Sequence, residues 1–173
     1  MKNIKQSVAA LILLVTTLAL DIWTKLLVVE HINYYDRIDY LGGFFRLTLV
    51  YNQGGVFGIL QGYKNVFLVT SIIVLGLMIA YYIYEKNKTS LFTFSMALIV
   101  SGAIGNIIDR LIPTRPGVVD FISVGVDGVY RWPAFNVADS CIVVGAFLLV
   151  IVFYREEKRR KLLEGQEGQS TQS

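Results

Sequence analysis

The sequence predicts a membrane α-helical protein: four transmembrane helices with a small extracytoplasmic β element and an interfacial gating segment. Three observations lead there. Of 173 residues, 54% are apolar and only 17% charged, a balance unlike that of soluble globular chains. The apolar residues gather into four stretches, each close to the roughly 20 residues needed to cross a bilayer core. The segments between them alternate with period two and carry Gly and Pro turn signals, the marks of short strands.

The stretches run from Ser7 to Val29, Asn65 to Tyr84, Leu91 to Ile112 and Phe135 to Tyr154. The first follows Lys2 and Lys5 as a cleaved leader would. It is longer than a usual leader core and runs into Asp21 with no convincing small-x-small site, so it is expected to stay as a membrane helix. Lys86 and Lys88 fill the tiny loop between the second and third stretches, and "REEKRRK" follows the fourth. Short loops dense in Lys and Arg stay cytoplasmic. Both termini are therefore expected inside, with the loops at about 31–64 and 113–134 outside. All seven aspartates (Asp21, Asp36, Asp39, Asp109, Asp120, Asp127 and Asp139) then fall outside or at outer helix ends.

In the first outer loop, Phe45, Leu47, Leu49 and Tyr51 alternate with Arg46, Thr48, Val50 and Asn52, a half-buried strand. "YNQGGVFGILQGYKN" follows with glycines at 54, 55, 58 and 62, and is expected to lie at the interface and gate a site. In the second outer loop, "VVDFISV" and "VYRW" flank "GVDG" and read as a hairpin. Pro113 and Pro116 end the third helix, and Pro133 separates the hairpin from the fourth. Tyr34, Tyr35, Tyr40, Phe44, Phe45 and Trp132 suit the headgroup level. The basic tail fits contact with anionic lipid better than nucleic acid, and the closing "EGQEGQSTQS" reads as unstructured. Cys141 in an apolar run reads as buried packing.

Polar residues at the outer helix ends are the candidates for chemistry. Asp21 and Lys25 are four apart on one helical face, an ion pair that fixes the helix end or supports a site. Asn106 and Asp109 share a stripe with Gly102, while Ser101 and Gly105 let helices approach closely. Asp109 beside Arg110 has a cation at hand. Asn136 reads as an N-cap, and Asp139 three residues on is favoured by the helix dipole. Asp120 sits between apolar neighbours with no adjacent base, where burial raises a carboxyl pKa. A short connection with a hairpin lets Asp120 and Asp139 converge, and two carboxylates at one site share one proton. One would activate water and the other protonate a carbonyl oxygen. A pair of solvated structural aspartates remains the competing reading.

Taken together, "DIWTK", "YNQGGVFG", "GAIGNIIDR", "VVDF" and "FNVADS", in this order over nearly the whole chain, resemble lipoprotein signal peptidase (signal peptidase II), an aspartyl intramembrane protease family. The resemblance implies that Asp120 and Asp139 are the catalytic dyad. It implies that Asn52, Gly54, Asn106, Arg110 and Asn136 bind substrate or orient the site, with Asp21, Lys25 and Asp109 matching further motif positions. The second motif often reads N-x-G-A-A-F/W in the family, against "NQGGVF" here, which touches the shape of the substrate groove only. The implied substrate is a diacylglyceryl-modified prolipoprotein, cleaved on the amino side of its lipid-modified cysteine at the bacterial cytoplasmic membrane. No metal or other cofactor is implied, and the enzyme is expected to act as a monomer among membrane lipids, without nucleic acid.

Three other readings compete. An ion-coupled transporter would hold its carboxylates at the midplane and show inverted repeats. A metal-dependent hydrolase would need more than the one His present and a ligand motif such as H-E-x-x-H. A structural scaffold would tolerate loss of either aspartate.

Overall fold

The computed structural model describes residues 2–55 and 60–170, with side chains described from residue 4 to residue 166 outside that gap. Among the described residues, four helices are long and apolar enough to cross a membrane. They are α1 (Lys2–His31), α2 (Lys64–Tyr84), α3 (Ser90–Leu111) and α4 (Val137–Ser170). Four antiparallel strands, β1 (Arg37–Tyr40), β2 (Phe45–Asn52), β3 (Val118–Val126) and β4 (Tyr130–Arg131), form one sheet in the order β1-β2-β3-β4.

α3 is the central helix and packs against α1, α2 and α4. It starts at Thr89, whose side chain accepts from the Phe92 amide at 3.1 Å, so a free N–H of the first turn is satisfied. Small residues bring α4 onto it. A Cβ on Gly102 would meet the Ala138 carbonyl oxygen, and one on Gly105 would meet the Asp21 carboxylate. Between α1 and α3 the Thr17 and Ser101 hydroxyls meet at 2.7 Å. α2 buries no residue and leans on α3. At the α2–α3 turn, Phe92, Met96 and Val152 form one apolar cluster, closed by Met78, Tyr82, Leu91 and Leu149.

The second cluster seats the sheet on the bundle. Val28 in the last turns of α1 and Ile32 just after it pack with Leu49, Val119 and Phe121, each worth about 1.5–3 kcal/mol when fully buried. Pairing of β2 with β3 sets Val50 opposite Asp120, after an irregularity between Leu47 and Val50. The hairpin predicted around "GVDG" is β3–β4. Phe135 then bridges to Ile122, which carries the chain back beside β3 into α4.

Two expectations need correction. The β2 alternation is not simply apolar-in, polar-out: Arg46 and Thr48 are also buried. Arg46 is neutralised by Asp39 and by Asp127 at 2.7 Å, which lets its face be covered. These ion pairs, with Arg46 before Arg131, hold the Asp127 carboxyl down at about 2. The tail is not unstructured through residue 170, because α4 continues to Ser170. Ion pairs Glu157–Lys161 at 3.1 Å and Arg160–Glu164 at 3.7 Å follow the i,i+4 spacing that supports a solvated helix. The centre of the expected gating segment, residues 56–59, lies outside the described residues.

Candidate active site

The predicted polar residues converge at the end of the bundle that carries the sheet. Asn136 is the junction. Its Nδ2 donates to Asp120 Oδ1 at 2.8 Å, to Asn106 Oδ1 at 3.2 Å and to the Val119 carbonyl at 3.2 Å. Its Oδ1 accepts from the Asp139 amide at 2.8 Å, while Asp139 Oδ2 accepts from the Asn136 amide at 3.2 Å. That reciprocal pair is a capping box with Asp in the N3 position. The residue expected as a simple cap therefore reads β3, α3 and α4 at once.

Asp139 Oδ1 also accepts from Asn106 Nδ2 at 2.8 Å. With two N–H donors and a place in the first turn of α4, this half-buried carboxylate has surroundings suited to an anion. Asp120 is only 2% exposed. Burial first, and the neighbouring Asp139 second, push its carboxyl up to about 8, against hydrogen bonds from Asn52 and Asn136. The two acids thus interact, and their environments differ.

Behind the pair lies a second buried group. Lys25, 1% exposed, pairs with Asp21 at 2.8 Å and with Asp109 at 2.9 Å, and donates to Asn106 Oδ1 at 3.1 Å. Asp21 Oδ1 accepts from the Ala138 amide at 2.9 Å, which ties α1 to the first turn of α4. Asp109 Oδ2 accepts from the Val119 amide at 3.1 Å, which ties α3 to the start of β3. The Asp21–Lys25 pair, expected either to fix the helix end or to support a site, is buried and tied to three helices. Asp109 does not pair with Arg110, since successive helical residues face different ways. Its cations are Lys25 and Arg115, whose Nη1 meets Asp109 Oδ1. Arg115, in the loop after α3, carried no sequence signal for this role.

Arg110 reaches outward instead. It donates to the Asn106 carbonyl at 3.2 Å and to the Gly54 carbonyl at 3.1 Å, within electrostatic reach of both Asp120 and Asp139. Among the described residues its Nε is buried without a partner. Asn52 Oδ1 accepts from the Gly54 amide at 3.0 Å and from Gln61 Nε2 at 3.2 Å, closing the base of the glycine-rich loop. Gln61 had not stood out in the sequence. A cavity of about 440 Å³ opens over Asp120, and Asn52 and Gln61 lie on its wall. No group of three or more metal-ligating side chains is present among the described residues.

A family model described as Signal peptidase (SPase) II matches residues 13–155. The chain belongs to the signal peptidase II family. Its signal peptidase II relatives include the lipoprotein signal peptidase of Halothermothrix orenii, 38% identical over 148 residues that cover 85% of this chain and 96% of that protein. Another, from Halalkalibacterium halodurans, is 42% identical over 144 residues, covering 82% and 89%. The signal peptidase II fold seen here is also similar to a bacterial membrane enzyme solved at 2.3 Å. That likeness has 27% identity and a TM-score of 0.78, over 87% of this chain and 90% of that one. As a signal peptidase II the chain is a peptidase of membrane character, and the four-helix expectation stands with it.

Proposed function

We propose that this peptidase is of the aspartic type, with Asp120 and Asp139 as its catalytic pair. Its substrate is a diacylglyceryl-modified prolipoprotein, cut on the amino side of the lipid-modified cysteine. The observation that carries the reading is the shared amide of Asn136, bonded to Asp120 and capping the turn of Asp139, in a setting that keeps Asp120 protonated near neutrality. Asp139 then takes a proton from the attacking water while Asp120 hands its proton to the scissile carbonyl oxygen. The water oxygen bonds to the carbonyl carbon; Asp139 then gives its proton to the leaving cysteine nitrogen, the C–N bond breaks, and the hydroxyl made from the carbonyl oxygen returns its proton to Asp120 as the product carboxyl forms. No acyl-enzyme forms.

Charge balance supports the same state. Lys25 and Arg115 offset Asp21 and Asp109, so Arg110 is left facing the pair. One proton on the pair makes that group neutral as well, which low-dielectric surroundings favour. Asn52 on the cavity wall, and Arg110 bonded to the nearby Gly54 carbonyl, are the groups that steady substrate carbonyls. The basic α2–α3 turn and the basic stretch of α4 support an orientation with both termini in the cytoplasm and the aspartates at the opposite face of the inner membrane. There the lipid stays in the bilayer while the scissile peptide meets water. The enzyme acts as a monomer and takes no metal.

The test is cleavage of a diacylglyceryl-modified prolipoprotein by the purified protein in detergent, with Asp120→Asn and Asp139→Asn beside it and a chelator control. Chelator-resistant cleavage that falls at least about a thousandfold in each variant is expected. Activity retained in either variant, or lost to the chelator, overturns the aspartic mechanism.

A further inference from the structure

The cavity over Asp120 has a wall that the catalytic scheme does not use. Tyr34, Tyr35 and Tyr51 line it, facing a span that includes Pro133 and Ala134. Tyr34 packs on Tyr35 with ring centroids 4.0 Å apart and on Tyr51 at 5.7 Å, and its hydroxyl donates to that of Tyr35 at 3.1 Å. The first two were expected to sit among lipid headgroups. The backbone of the second is pinned to the sheet: the Tyr35 amide donates to the Leu49 carbonyl at 3.0 Å, beside the irregular stretch of β2. Tyr35 is held there at φ 68°, a conformation that side-chain-bearing residues adopt rarely and at a cost. Both rings are nevertheless half exposed or more, so their own burial does not account for that cost.

The described lining residues share a second property. Tyr34, Tyr35, Val50 to Gln53, Gln61, Asp120, Pro133 and Ala134 all lie outside the four helices. The cavity therefore belongs to the layer beyond the bundle, not to the groove between helices. A signal peptide is an apolar segment that must rise from the bilayer, whereas the chain after the lipid-modified cysteine continues into water. The sheet-side cavity beside Asp120 suits the second of these by its place outside the helices. Aromatic faces with hydroxyl tips, together with the amides of Asn52 and Gln61, suit a short extended peptide with small or polar side chains.

We propose that the Tyr34–Tyr35–Tyr51 wall is a specificity subsite that binds the first residues of the mature lipoprotein, immediately downstream of the modified cysteine. This rests on the peptidase reading above and names the part of the substrate that the cavity takes. The subsite adjoins the dyad through Asp120, which lines the same cavity.

The experiment compares two diacylglyceryl peptides with the same signal segment. One ends as an amide at the modified cysteine, and the other extends several residues beyond it. For the wild type, Tyr34→Ala, Tyr35→Ala and Tyr35→Phe, kcat and KM are measured on both. The wild type is expected to favour the extended peptide through KM. In each alanine variant the extended-to-truncated ratio of kcat/KM falls about fivefold, again through KM, the scale of one lost aromatic contact. Tyr35→Phe, which keeps the ring, retains most of the preference. A ratio unchanged in both alanine variants overturns the subsite, even if both peptides are cut more slowly, because damage to the fold would burden them alike. A wild type that cuts neither peptide overturns the peptidase reading, and the subsite with it.

Discussion

Replacing Asp120 by Asn should abolish cleavage and at the same time make the protein more stable at alkaline pH. The carboxyl stands at about 8, against 3.8 for an unperturbed aspartate. Between those values the folded chain holds a proton that the unfolded chain has released. Stability of the wild type therefore falls as pH rises through that window and levels off above about 8. From pH 5 to pH 9 about three units of the window are crossed, and at about 1.4 kcal/mol per unit the loss is on the order of 4 kcal/mol. The Asp120→Asn side chain has nothing to ionise, and its amide oxygen can still accept from Asn136. The melting temperatures of variant and wild type in detergent should thus diverge by on the order of 10 °C between pH 5 and pH 9, the variant being higher at the alkaline end. Parallel curves across that range would refute the buried, proton-holding Asp120 on which the proton assignment depends.

Four further outcomes follow from the structure. In Asp139→Asn, the like charge that adds to burial is gone, so Asp120 should titrate at lower pH, seen as an acidward move of its protonated-carboxyl infrared band. Lys25→Met leaves Asp21 and Asp109 buried without their common cation and should cost about 3–5 kcal/mol in thermal unfolding; adding Asp21→Asn should recover part of it. Gly105→Ala sets a methyl against the Asp21 carboxylate and should cost about 1–3 kcal/mol. By contrast Gly76→Ala, in open space on α2, should be neutral or gain up to about 1 kcal/mol in the same assay.

The helices were legible because a bilayer demands long apolar runs, and the β3–β4 hairpin because Asp127-Gly128 is a strong reversal signal. β1 was not. Its four residues, Arg37 to Tyr40, are all exposed and carry two charges. Such an edge strand shows no period, and it exists through pairing with β2 and the Asp39–Arg46 contact. Asp120 was legible as an acid among apolar neighbours, and Asn136 and Asp139 by their capping distance. The partner of Asp109 was not, because Arg110 is adjacent only along the chain, whereas Lys25 comes from another helix. The α4 extension is written in the spacing of Glu157, Lys161, Arg160 and Glu164, but the polar, low-complexity end that follows masks it.

The arrangement of Asp21 has a consequence for how the chain is made. α1 is the first helix to be synthesised, yet the donor that completes Asp21 is the Ala138 amide in the last one, and Lys25 waits for Asp109 and Asn106 of α3. Until the whole polypeptide has entered the bilayer, its opening segment carries charges without their full set of partners. A product truncated before α4 keeps that defect permanently. The earliest segment therefore records whether the latest has arrived, and an unfinished chain carries polar groups that lack partners they have in the finished one.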